Sequence, residues 1–81
     1  MPKQITVSSL LILEIINEYR GLRGLQTYHE HSFNAAIRAV IPCAEAELTL
    51  TEAKTLLTAL GESEEVWWDV ADAFRATARE R

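Results

Sequence analysis

Residues 49–75 read TLTEAKTLLTALGESEEVWWDVADAFR, and this stretch decides the fold. Ala53, Leu56, Leu57 and Leu60 recur at the i, i+3, i+4, i+7 spacing of one helical face. Thr49 and Glu52 form a capping box at the start of that helix, or Thr51 caps it alone; the letters fit both. Gly61 closes it. A second helix then opens at Ser63, with Glu64 and Glu65 in the first turn, where the helix dipole favours anions. Arg75, Arg79 and Arg81 lie toward its other end, where the dipole favours cations. These signals agree, so the stretch predicts an antiparallel helical hairpin.

Upstream, Ile12, Ile15, Ile16 and Tyr19 repeat the helical template, predicting a helix from about Leu10 to Tyr19 capped by Ser9 and stopped by Gly21. Leu10 and Leu11 fall on the Glu14/Glu18 side, an apolar start explained either by a first turn buried on two sides or by a subunit contact. Arg20 to His31 reads as a connector with a helical turn around Leu25 to Tyr28. Ser32 is expected to cap a helix with Phe33, Ala36, Ile37 and Val40 inside. Pro42 ends that helix and is placed to begin a short one reaching Leu48. The only strand candidate is Gln4 to Val7. The expectation is a single all-α domain over residues 1–81, a bundle of about four helices ending in the hairpin.

Eighty-one residues limit the core, since a domain this small buries only about 60% of its unfolded surface. Hydrophobic residues at 48% and charged residues at 25% are ordinary globular values and argue against disorder. The longest nearly apolar run, Leu10 to Ile16, contains Glu14 and is too short for a bilayer; no signal peptide is expected and no membrane partner. One cysteine forms no internal disulfide, which favours a reducing, cytoplasmic setting.

The net charge of −4 is unevenly placed. Residues 1–40 are nearly balanced, whereas Glu45 to Asp72 holds eight acids and one base, Lys54. A solvated acidic face explains part of this. The tryptophans add something else. Adjacent helical residues point about 100° apart, so Trp67 and Trp68 cannot share one core direction. Trp67, Val70, Ala71 and Phe74 make the core stripe. Trp68 aligns with Glu65, Asp69 and Asp72, next to Glu64, as an aromatic anchor framed by carboxylates. The alternative for Trp68 is a half-buried cover over the connector or the second helix.

Other chemistries find less in the letters. A helix-turn-helix shares the apolar skeleton of Ala53 to Val70, but its recognition helix would carry Glu64, Glu65, Asp69 and Asp72 before any base. Carboxylates there repel phosphates, so direct nucleic-acid binding is not expected through the hairpin. A regulator would need Arg20, Arg23 and Arg38 to cluster instead. His29 and His31 at i, i+2, with Cys43 or Glu45, lack the paired spacing of a zinc site; no metal or cofactor is expected. Nothing brings a histidine to Cys43, and no nucleophile, base and orienting group assemble, so no enzyme is expected.

The resulting expectation is a protein-binding module. Its acidic face, anchored by Trp68 with Glu64, Glu65, Asp69 and Asp72, would dock on a basic surface of a partner protein. Carboxylates can stand in for phosphates on the same Lys and Arg side chains, as in phage-type acidic antagonists of nucleic-acid machinery. The other readings are a helix-turn-helix-like regulator and a subunit forming a homodimer through Leu10 and Leu11.

Overall fold

The computed structural model describes residues 5–42 and 46–80. The chain runs β1 (Thr6–Ser8), α1 (Ser9–Leu22), α2 (Glu30–Val40), β2 (Glu47–Thr49), α3 (Leu50–Leu60) and α4 (Glu64–Glu80). Among the described residues it is a mostly helical domain, 73% helix, with a small two-stranded sheet.

The hairpin forms as its sequence dictates. The Thr49 hydroxyl accepts from the Glu52 amide, and Glu52 Oε1 accepts from the Thr49 amide at 2.8 Å, completing the capping box. Gly61 takes the left-handed conformation at φ 72°. The Gly61 amide donates to Thr58 and the Glu62 amide to Leu57, a Schellman closure. Three residues later α4 begins, packed against α3 and α1. Its buried stripe is Val66, Val70, Ala71 and Phe74. Val66 adds a turn to the expected face, while Trp67 is half-buried against the core.

The first helix differs at both ends from its expected bounds. Ser8, not Ser9, is the cap: its hydroxyl accepts from the Leu10 amide. Ser9 is buried, and its amide donates to Ala46 O at 2.8 Å, so it belongs to the seam with the second strand. Gly21 does not stop the helix. The chain runs on to Leu22 and turns at Gly24, φ 71°, with Gly24 N–H to Gly21 O and Leu25 N–H to Arg20 O. This is the same Schellman pattern, placed one turn later than the first glycine suggests.

The expected helical turn at Leu25 to Tyr28 is absent; residues 25–29 carry no regular structure. Asn17 ties this segment down by receiving the Tyr28 amide at 2.8 Å and donating to Tyr28 O at 2.9 Å. The second helix begins at Glu30, before Ser32, with His29 as an uncapped N-terminal residue. Phe33 and Ile37 are buried as expected, and Ala36 and Val40 are partly buried. Pro42 follows the helix end in a turn. Glu47 and Leu48, expected in a short helix, form β2. Cys43, Ala44 and Glu45 lie outside the described residues.

The two strands pair antiparallel, Thr6 with Thr49, Val7 with Leu48 and Ser8 with Glu47. Val7 and Leu48 are both buried on the core side. A three-residue strand has no stability of its own, so pairing and burial of one residue from each strand decide it. The core they join is Ile12, Leu13 and Ile16 of α1, Phe33 and Ile37 of α2, Ala53, Leu56 and Leu57 of α3, and the α4 stripe.

Candidate functional site

The last turn of α1 is bound to the start of α4 by side chains the sequence reading left unpaired. Arg20 donates to Glu62 Oε2 at 2.9 Å in an ion pair whose side chains are only 21% and 5% exposed. The Tyr28 hydroxyl donates to the same oxygen at 2.7 Å, and the Arg20 guanidinium lies 4.8 Å from the Tyr28 ring centroid. Burial, and next the hydrogen bond to Glu62, raise the Tyr28 phenol above its usual pKa of 10.0. The Tyr19 and Ser63 hydroxyls share a hydrogen bond of 2.8 Å. Arg23 pairs with Glu65 and stacks over the Tyr19 ring at 4.3 Å. Its interaction with Tyr19 and then Glu65 raises its pKa further.

These links set α1 antiparallel to α4, with Arg23 beside Glu65 and Ile15 beside Asp72. Outside the pairing lies Trp68, 52% exposed and the most open of the aromatic side chains on α4. Glu64, Glu65, Asp69 and Asp72 around it are all exposed. The acids are not equivalent. Glu65 is paired with Arg23 and Asp72 with Arg75, whereas Glu64 and Asp69 have no ion pair among the described residues. Exposed pairs of this kind contribute little to stability, so they dilute the acidic field without locking it.

Trp68 borders three depressions, one over the α3–α4 turn with Lys54, Glu62 and Glu64, and two others of contrasting character. Toward α3 and β1 it joins Trp67, Leu50, Ile5, Ala71 and Phe74 in an apolar hollow of about 480 Å³ whose only charged side chain among the described residues is Arg75. Toward α1 it meets Tyr19, Leu22, Arg23, Glu65 and Asp69. That second depression continues along Ile15, Glu18, Tyr19, Leu22, Asp69 and Asp72. The α1 contribution was hidden at the sequence level, because ending the helix at Tyr19 put Leu22 in a connector.

Leu10 and Leu11 are exposed on the first turns of α1. His29 and His31 are exposed at the start of α2, and no group of three His, Cys, Asp or Glu side chains with metal-site geometry occurs among the described residues. Arg20 and Arg23, which a DNA-contacting surface would need, are engaged by Glu62 and Glu65, leaving Arg38 on a separate helix. No helix among the described residues is long and apolar enough to cross a membrane. Comparison with known proteins gives no match: no family model, curated protein or solved structure is significantly similar to this chain.

Proposed function

We propose that this chain is a non-enzymatic protein-binding module that docks the Trp68 face of α4 on a basic surface of a partner protein. The observation that carries the reading is a half-exposed indole set among the exposed carboxylates of Glu64, Glu65, Asp69 and Asp72. Leaving so large an apolar ring in water forgoes burial energy, and contact with a partner recovers it. The carboxylates give the contact its charge preference and its register. A partner surface built to hold nucleic acid presents the Lys and Arg side chains these carboxylates suit, so the module would act there as an acidic antagonist.

The test is retention of proteins from the native host's extract on the immobilised chain, eluted with a salt gradient. The reading predicts a retained protein with a basic patch, released as salt rises because exposed charge pairs are screened. Glu64→Lys combined with Asp69→Lys should abolish retention, since these two acids are not already paired. Retention indifferent to salt and to both reversals contradicts the reading. That pattern belongs to apolar association, such as a second copy meeting the exposed Leu10 and Leu11.

A further inference from the structure

We infer that the groove between α1 and α4 receives a basic amphipathic helix of the partner, which rests on the docking role proposed for α4 and adds a second wall to it. The groove is lined by the apolar side chains of Ile15, Tyr19 and Leu22 from α1 and Trp68 from α4, set among charged ones, with Arg23 stacked over the Tyr19 ring. Leu22 is 81% exposed and Trp68 52% exposed, the two most open apolar side chains of this region. The rims carry Glu18 on the α1 side and Asp69 on the α4 side, followed by Asp72, which Arg75 already pairs. Acids on both edges of an apolar channel match a helix with an apolar stripe between two rows of Lys or Arg.

The shape selects a helix over other occupants. The walls are two antiparallel helices, and the channel between such a pair accepts the ridge of a third. Neither wall offers a free strand edge for an extended peptide. Ile15 and Leu22 are seven residues apart, about 10 Å along α1, so roughly two turns of the incoming helix are covered. At the far end the Arg23–Glu65 pair closes the channel with a charge-neutral plug, which favours an apolar anchor over Leu22 and Trp68.

The probe is a synthetic helical peptide of Leu and Lys with one apolar stripe, compared with a Lys-only peptide of equal charge. Both are titrated into the isotopically labelled chain and followed by amide chemical shifts. The groove predicts that the Leu/Lys peptide shifts amides along Ile15 to Leu22 and along Glu65 to Asp72, while the Lys-only peptide binds far more weakly. Leu22→Ser should weaken the Leu/Lys peptide about tenfold or more and leave the melting temperature unchanged, because Leu22 packs on almost nothing in the free chain. Shifts confined to α4, with Leu22→Ser binding as well as the parent, overturn the groove and leave docking by α4 standing. Equal binding of the two peptides also overturns it. Shifts that avoid both helices overturn the groove and the α4 face together.

Discussion

Trp68→Ala should weaken partner binding by about thirtyfold or more, the loss of about 2 kcal/mol typical of a tryptophan at the centre of an interface. The same substitution should cost the free chain about 1 kcal/mol or less, since half the indole is already in water and alanine is the better helix former. Trp67→Ala reverses the pattern. Trp67 is half-buried, packs on the core and lies under the Lys54 ammonium at 5.7 Å, so its loss should destabilise by about 2–3 kcal/mol. Thermal denaturation and titration of the two variants against the retained partner separate these effects. Equal losses of affinity from both would make Trp68 part of the structural support.

Glu62→Ala should be the most damaging single change outside the apolar core, lowering stability by about 2–3 kcal/mol. It removes the acceptor shared by the Arg20 guanidinium and the Tyr28 hydroxyl, which meet one Glu62 oxygen at 2.9 and 2.7 Å, and leaves Arg20 only its bond to the Gln26 carbonyl. A fully buried pair would cost about 3–5 kcal/mol to break, and Arg20 at 21% exposure retains some water. In a domain this small each kcal/mol moves the melting temperature by about 4–8 °C, so calorimetry reads the change easily. The alkaline limb offers a second readout. The folded state holds Tyr28 protonated above its unfolded pKa of 10.0, so its contribution is complete below that value and is lost as pH rises through the folded value. Without the Glu62 carboxylate that alkaline loss should shrink. A variant as stable as the parent, with the same alkaline profile, would refute the role of Glu62 in fastening α1 to the hairpin.

What the sequence disclosed follows from the range of the forces involved. The hairpin was legible because Thr49, Glu52, Gly61 and the Leu56/Leu60 face act within a few residues of each other. Val70, Ala71 and Phe74 of the buried α4 stripe were legible for the same reason, though Val66 was not, and so was the divergence of Trp67 from Trp68. β2 was not, because Glu47–Thr49 is extended only by virtue of Thr6–Ser8, some forty residues away in the chain. The end of α1 turned on a choice between two glycines in GLRG, and the hydrogen bonds of Gly24 and Leu25 made it. That choice had consequences for the site. Extending the helix through Leu22 completes the set Ile15, Glu18, Tyr19 and Leu22 at i, i+3, i+4 and i+7, the α1 wall of the groove. The pairing of Glu65 with Arg23 was equally hidden, since it depends on how α1 meets α4. The acidic face is therefore narrower than a count of carboxylates suggests.

The claim beneath all of this is that Trp68 stands in solvent on the folded chain, and tryptophan emission tests it most directly. The chain has two tryptophans, so Trp67→Phe leaves Trp68 as the sole reporter and Trp68→Phe leaves Trp67. The account predicts red-shifted emission and ready quenching by acrylamide for Trp68, with bluer, better-shielded emission for Trp67. Blue, protected emission from Trp68 in the folded protein would contradict it.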